Sequence, residues 1–199
     1  MSSAFFFGFV CTYTENWNRV IEAGKAGYAN TYIIFPSGVY GRSLGPKPAP
    51  GVIQLLAKLQ AEELGFVPYI GEGSAIFPSL HVEDFPPFVL KVLEEALKNP
   101  EPTGSIYSRF FIVTSQETTW KETSNAFARL FHVQGNISSP EAKSVPFGGA
   151  GNGELAHLLQ PSSMLLKNDR ARRLGYKPVK EGLLEYLENE VQALMAGKQ

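Results

Sequence analysis

Residues 31–41, TYIIFPSGVYG, decide the fold class of this 199-residue chain. After Thr31 come four aromatic or β-branched residues without polar alternation. Such a run is typical of a strand buried on both faces, beneath the helices of a parallel sheet. Pro36 ends the predicted strand. Residues 36–50 hold four prolines and three glycines, a composition that predicts a loop.

Helical and extended patterns alternate along the rest of the chain. Apolar residues at helical spacing predict helices over residues 15–26, 52–64, 84–97, 119–131, 154–159, 169–174 and 181–194. Short β-rich runs predict strands over residues 66–70, 79–82 and 106–113. This alternation predicts an α/β fold.

Two of the predicted helices carry aliphatic stripes, which predict the faces turned toward the core. The stripe of the helix at residues 52–64 consists of Val52, Leu55, Leu56 and Leu59. The stripe of the following helix consists of Val89, Val92, Leu93 and Leu97. We expect Asp84 to cap the helix at residues 84–97, and His81 to hold the preceding turn by a side-chain hydrogen bond.

The composition is that of a folded globular protein. Hydrophobic residues make up 44% of the chain, aromatic residues 12% and charged residues 19%, whereas disordered chains are more charged and less aromatic. The net charge of −1 excludes a broad electropositive surface for nucleic acid. The single cysteine, Cys11, excludes an internal disulfide framework. Because the three histidines lack metal-ligand spacing, we also expect no metal.

The N-terminal apolar run at residues 4–10 does not have the length or the flanks of a targeting segment. A transmembrane helix needs about 20 apolar residues. A signal peptide needs a basic n-region, and residues 1–18 contain no Lys or Arg. We therefore expect a cytoplasmic protein that has neither a membrane nor a nucleic acid as its partner.

Three further motifs each have a functional and a structural interpretation. Residues 148–153, GGAGNG, lack the spacing of a dinucleotide-binding loop and are interpreted as a flexible surface loop. Trp17, not Lys, stands four residues after Tyr13, so the ammonium that would lower the pKa of that phenol is absent there. A basic cluster is interpreted as a solvated helix face, with phosphate recognition as the alternative; it comprises Lys167, Arg170, Arg172 and Arg173.

Four segments in order resemble a known superfamily: residues 32–41 (YIIFPSGVYG), 71–73 (GEG), 81–84 (HVED) and 174–178 (LGYKP). They resemble the second half of the extended or atypical short-chain dehydrogenases, the NAD-dependent epimerase/dehydratase superfamily. Residues 21–28 are similar to its fungal, NmrA-like branch. In that superfamily the first half is a Rossmann domain with the glycine fingerprint, so the resemblance implies the second half alone.

The resemblance implies both a domain organisation and site residues. Residues 1–50 would be a remnant of a Rossmann-like parallel sheet with an apolar N-terminal tail. Residues 51–199 would be a small mixed α/β substrate-binding lobe. The residues beside the nicotinamide of NAD(P) would be Pro36, Ser37, Gly38, Val39 and Tyr40, and those of the substrate pocket Ile53, Leu56, Ile76 and Phe77. The catalytic candidates are Tyr13 and His81.

The function that follows from the resemblance is dehydrogenase- or epimerase-like chemistry on a small organic metabolite, in fungal secondary metabolism. Two alternatives are a non-catalytic binding or scaffold module and a cofactor-free isomerase or lyase that uses Tyr13, His81 or Glu72. A third is a fragment of a full-length NAD(P)-dependent oxidoreductase. Because the sheet would have an open apolar edge, we also expect a homodimer or a partner chain that covers it.

Overall fold

The strand predicted at residues 31–35 is present as β1 (Ile33–Pro36), which pairs in parallel with β5 (Phe110–Val113). The structure is a computed structural model that describes residues 16–42, 45, 49–99, 104–151, 157 and 159–197. The predicted apolar tail and Tyr13 lie outside the described residues, as does most of the predicted helix at 154–159.

Helices and strands alternate along the described chain. In order they are α1 (residues 16–25), β1, β2 (Gly38–Tyr40), α2 (Val52–Leu64), β3 (Pro68–Ile70), β4 (Ile76–His81), α3 (Phe85–Lys98), β5, β6 (Gln116–Thr119), α4 (Trp120–Val133), β7 (Lys143–Val145), α5 (Asp169–Arg173) and α6 (Leu183–Ala196). Short 3-10 turns precede α3 at Val82–Asp84 and β5 at Ile106–Arg109.

The strands form three small sheets. β1 and β5 form a parallel pair, and so do β3 and β7. β4 lies between β2, its parallel neighbour, and β6, which runs antiparallel to it. The prediction of an α/β fold, with a remnant of a parallel sheet and a small mixed part, is therefore confirmed.

Aromatic side chains attach helices to both faces of the β1–β5 pair. Trp17 of α1 meets Phe35 edge-on at 5.5 Å between ring centroids and Phe110 at 6.4 Å. On the other face Phe88 of α3 packs against Phe111 at 5.8 Å. The sequence predicts a strand buried on both faces, but all four residues of β1 are half-buried. The described residues cover the outer face of this strand only in part.

A second core lies between α2, α4 and α6. Its buried members include Trp120, Phe127, Phe131, Leu183 and Leu187. Thr119 and Glu122 have the sequence spacing of a capping box, and the structure contains one: the Thr119 hydroxyl accepts from the Glu122 backbone N–H, and the Glu122 carboxylate accepts from that of Thr119. Because Thr119 is both the last residue of β6 and the cap of α4, the helix begins where the strand ends.

The predicted inward stripes of α2 and α3 are wrong in most of their residues. Val52 is 64% exposed and Leu59 54%, and in α3 Leu93 and Leu97 are likewise exposed. The buried positions are Ile53, Ala57, Gln60 and Ala61 in α2, and Phe88 and Val92 in α3. Both helices carry apolar residues on more than one face. The small alanines of α2 let the helix approach its neighbours closely. The buried face is therefore decided by packing and cannot be identified from the spacing of apolar residues.

Several short elements also differ from the prediction. Residues 38–40 of the predicted loop form β2, and residues 106–109 of the predicted strand form a 3-10 turn instead. β6 and β7 have no counterpart among the predicted strands. These pieces are three or four residues long, too short to show a period in sequence.

Candidate functional site

The candidate site lies at the carboxyl ends of β1 and β5, where the chain passes from one sheet to the next. Ser37 connects β1 to β2, and its backbone N–H donates to the Val113 carbonyl at 2.9 Å. Its side chain is only 7% exposed, yet its hydroxyl has no hydrogen-bond partner. A buried hydroxyl without a partner is unusual, and the ends of parallel strands are where α/β proteins bind ligands.

A network of hydrogen bonds around the Ser79 carbonyl makes this edge rigid. That carbonyl accepts from the backbone N–H and the hydroxyl of Ser115, both at 2.9 Å, and from the Thr114 hydroxyl at 3.4 Å. The Asn168 side-chain amide donates to the Thr114 carbonyl at 2.5 Å. Because these groups satisfy one another, the network positions the edge, and the Ser37 hydroxyl takes no part in it.

Three aromatic rings meet at the carboxyl ends of β2 and β4. The Tyr40 ring lies 5.3 Å from the His81 ring and 5.7 Å from the Tyr186 ring, and the last two are 5.6 Å apart. The Tyr40 hydroxyl donates to the Glu181 carbonyl at 2.5 Å. This cluster joins β2, β4 and α6, so the C-terminal helix is part of the site's wall.

The phenols at this edge are held in their protonated form. Burial raises the pKa of Tyr40 well above its ordinary value, and the carboxylate of Asp84 adds to the shift. Burial likewise raises the pKa of Tyr176 to about 12 and shifts that of Tyr186 in the same direction. A tyrosine that acts as a base needs the opposite shift, so these three side chains can donate hydrogen bonds but do not serve as bases.

His81 holds its own turn, as predicted. Its Nδ1 accepts from the backbone N–H of Glu83 at 3.1 Å, so in the neutral ring the proton lies on Nε2. A Cβ at Gly41 would come within 2.7 Å of that Nε2, which explains the glycine at this position, where φ is +93°. His81 is 4% exposed. Its predicted catalytic role stays a prediction.

Asp84 does not cap α3 with its side chain, contrary to the prediction. It reaches instead to the segment before α6: Oδ1 accepts from the Val179 N–H at 3.0 Å and Oδ2 from the Lys180 N–H at 3.2 Å. The Lys180 ammonium also pairs with the Glu83 carboxylate at 2.5 Å. We call residues 177–182 the strap, because these bonds and that of Tyr40 hold the segment across the carboxyl edge.

Of the four residues predicted to line a substrate pocket, Ile53 and Phe77 lie in the second core. Ile53 and Leu56 border a cavity of about 10 Å³, together with Trp120, Phe127 and Gln160 among others. That volume holds about one water molecule. The Phe77 ring stacks obliquely on Trp120 at 4.5 Å between centroids, and Ile76 starts β4 with its N–H bonded to the Ser163 hydroxyl.

The residues predicted beside the nicotinamide are divided between two environments. Pro36 and Ser37 lie at the end of β1, whereas Gly38, Val39 and Tyr40 pair with β4. A Cβ at Gly38 would lie 2.2 Å from the Phe77 ring, so that ring occupies the space above the glycine. The structure thus brings Tyr40 together with His81, while Ile53 and Leu56 line a separate cavity.

Sequence reasoning missed several residues of this edge, among them Thr114, Ser115, Asn168, Tyr176 and Tyr186. They come from four separate places in the chain, and no spacing in the sequence connects them. The one available signal is the position of Thr114 and Ser115 directly after a buried strand, which predicts a place at the carboxyl edge. Within the described residues, no group of three histidine, cysteine or acidic side chains could hold a metal.

No family model matches the sequence, and no curated protein does. Solved structures do match. A dTDP-glucose 4,6-dehydratase from Streptomyces venezuelae with NAD bound shares 18% identity at a TM-score of 0.54, over 90% of this chain and 48% of that one. The UDP-glucuronic acid 4-epimerase from Bacillus cereus, solved with UDP-glucuronic acid and NAD, shares 14% over 89% and 49%, at a TM-score of 0.50. The chain has the fold of about half of such an enzyme.

An L-threonine dehydrogenase from Phytophthora infestans gives the same result, with 13% identity and a TM-score of 0.54 over 93% of this chain and 55% of that one. The dehydratase and the epimerase are members of the NAD-dependent epimerase/dehydratase superfamily, so the predicted resemblance is confirmed at the level of the fold. The chain spans about half the length of the structures it matches. No helix in the described ranges is long and apolar enough to cross a membrane.

The residues described here do not by themselves fit a whole dinucleotide. The free Ser37 hydroxyl suits a ligand where the resemblance places the nicotinamide. The Tyr40 hydroxyl, however, is already used by the strap. The sequence has no G-x-G-x-x-G, the turn that binds the phosphates of a dinucleotide. At most the nicotinamide end of NAD(P) has a counterpart in this part of the chain.

Proposed function

We propose that this chain forms the substrate-binding half of a dehydrogenase- or epimerase-type site and holds the uncharged end, rich in hydroxyl or carbonyl groups, of a small organic molecule. The observation that carries the proposal is the Ser37 hydroxyl, which is buried, has no partner and lies at the carboxyl ends of two parallel strands. An oxygen of the ligand would supply the missing hydrogen bond.

The chemistry of the edge favours a ligand whose bound end is uncharged and rich in oxygen, such as the glucose of UDP-glucose. The phenols here stay protonated because burial raises their pKa values, and the hydroxyl of Tyr176 is a neutral donor without a partner in the protein. The fold supports redox or epimerisation chemistry that uses NAD(P), by family resemblance. The dinucleotide phosphates would then be bound by a Rossmann-type part that the described residues do not contain. A role in fungal secondary metabolism and a place in the cytoplasm are also part of this proposal, supported by the resemblance.

The outer edge of β1 supports the proposal of a second chain. Among the described residues β1 has one strand neighbour, β5, and a free edge of a parallel sheet is normally covered. A second copy of this chain, or a partner that carries the Rossmann-type part, would cover it. Gel filtration at several concentrations tests for the homodimer.

A non-catalytic binding module is the second candidate function. The observation that favours it is that the tyrosines of this edge have raised pKa values, so none of these three phenols is prepared to act as a base. Under this alternative the site binds its ligand and releases it unchanged.

The test measures the binding of UDP-glucose and NADH, singly and together, by calorimetry. We expect UDP-glucose to bind, and Ser37→Ala to weaken that binding about tenfold through the loss of one hydrogen bond. The melting temperature of that variant should not fall, because the hydroxyl has no partner within the protein. The control is Ser144→Ala, whose exposed hydroxyl bonds only the Gly71 carbonyl.

Equal weakening by both substitutions, or no binding of UDP-glucose, would contradict the proposed site. Turnover decides between the two candidate functions. Oxidation or reduction of the dinucleotide in the presence of UDP-glucose supports the enzyme. Binding without turnover supports the binding module.

A further inference from the structure

We propose a second ligand site at the opposite end of β5, an open groove that binds a phosphate monoester with an aromatic or aliphatic part. The groove lies between α5 and the 3-10 turn Ile106–Arg109, at the amino end of β5. It is lined by Ser108, Phe111, Arg170, Arg173 and Leu174, and its volume is about 320 Å³. That volume is within the range of small-molecule sites. This site does not depend on the proposed function at the carboxyl edge.

Arg170 is held in position by the protein before any ligand arrives. Its Nη1 donates to the Tyr107 carbonyl at 2.7 Å and to the Phe110 carbonyl at 3.2 Å. A guanidinium has five N–H donors, so these two bonds leave Nε and Nη2 for a ligand. A guanidinium that is fixed in this way binds an anion without losing much further side-chain freedom.

Arg173 extends the cationic wall along the same helix. Positions three residues apart lie on one helix face, which places Arg173 beside Arg170. No carboxylate of the described residues forms an ion pair with either guanidinium. Two neighbouring guanidiniums with no acidic partner suit a doubly charged oxyanion, because each can donate two parallel hydrogen bonds to it.

The structure divides the basic cluster that the sequence places together. Arg172 points the other way and donates through Nε to the side chain of Asn168 at 2.8 Å, so it supports the carboxyl-edge network. Lys167 is exposed and does not line the groove. The anion site is therefore made by two of the four basic residues, and not by the general charge of the segment.

The floor of the groove is apolar and adds a second requirement to the ligand. Phe111, 8% exposed, and Leu174 line the groove together with the two guanidiniums. A flat or aliphatic group attached to the phosphate would cover this floor, whereas a bare phosphate would leave it in contact with water. The groove therefore favours a phosphate monoester over inorganic phosphate.

The experiment titrates the full chain with phenyl phosphate, inorganic phosphate and phenol, and follows backbone amide shifts by NMR. We expect phenyl phosphate to bind most tightly and to shift the amides of residues 107–111 and 170–174. Arg173→Gln should weaken its binding about tenfold, the usual effect of losing a charge-assisted contact. The matched control is Lys167→Gln, which removes the same charge from the same segment outside the groove.

Each outcome has a definite meaning. Equal weakening by Arg173→Gln and Lys167→Gln would show general charge attraction and overturn the site, as would phosphate binding as tightly as phenyl phosphate. Phenol binding as tightly as phenyl phosphate would overturn the role of the guanidiniums. Because both variants change exposed residues, both should fold like the unmodified protein, and UDP-glucose binding at the carboxyl edge should be the same in both.

Discussion

The two ends of the β1–β5 strand pair are built in opposite ways. At the carboxyl end Asp84 and the Ser79 carbonyl are buried and hydrogen-bonded by the protein itself, and the hydroxyls of Ser37 and Tyr176 are the exceptions. At the amino end Arg170 and Arg173 stand in an open groove. The difference shows that a charged side chain exposed to water lowers the stability of the fold little, whereas a buried polar group must be hydrogen-bonded. Substitutions at the carboxyl end should therefore affect stability far more than matched ones at the amino end.

Asp84→Ala should give the largest difference between the two ends. The substitution leaves the backbone N–H groups of Val179 and Lys180 without their acceptor. We expect unfolding free energy to fall by about 2–4 kcal/mol, since each bond joins a buried carboxylate to a backbone amide. Urea denaturation measures the loss. Asp169→Ala, the matched change at an exposed residue of the amino end, should stay within about 0.5 kcal/mol. Equal losses of unfolding free energy in the two variants would show that the two ends of the strand pair do not differ in this way.

Tyr40→Phe tests the same contrast with a single hydroxyl. The ring keeps its contacts with His81 and Tyr186, but the Glu181 carbonyl loses its donor. We expect a loss of about 1–2 kcal/mol in unfolding free energy. Tyr107→Phe, at the amino end and 53% exposed, is the control and should have almost no effect. An unchanged stability in Tyr40→Phe would mean that the strap is held without the hydrogen bond of Tyr40.

The features that the sequence predicts well are those formed by residues close together in the chain. The bounds of α2, Val52–Leu64, follow from its periodicity, and the turn bond between His81 and Glu83 spans two residues. Such features are local, and residues close in sequence determine them. The capping box of α4 belongs to the same class.

Features that depend on distant parts of the chain could not be predicted in this way. Asp84 and Val179 are 95 residues apart, and nothing near Asp84 distinguishes a helix cap from a bond to the strap. The buried face of α2 is another example, because Val52 and Ile53 are equally apolar and only the packing of α4 decides between them. For the candidate site, the sequence therefore locates the edge through β1 but not the side chains that converge on it.

The raised pKa of Tyr176 predicts an alkaline loss of stability. Burial places the pKa of the folded phenol at about 12, above the value of about 10 for an unfolded tyrosine. Stability from such a group is fully present below the unfolded pKa and is lost as pH rises through the folded one. Urea denaturation between about pH 9 and pH 11 should show a steeper decline in the unmodified protein than in Tyr176→Phe. Tyr28→Phe, which changes a residue 90% exposed, should retain the full decline.

Glu83→Gln should have the smallest effect, although the ion pair it breaks lies on the strap. The Lys180 ammonium lowers the pKa of the Glu83 carboxyl, so the pair stabilises the fold above the unfolded pKa of about 4.3 and is lost as pH falls further. Both side chains keep about a third of their surface in water, 34% and 36%, where salt screens their attraction. We expect a smaller loss than in Tyr40→Phe, measured by urea denaturation, and none at about 1 M salt. A loss that persists in high salt would mean that the strap depends on its exposed ion pair, so that the carboxyl end resembles the amino end more than its buried network indicates.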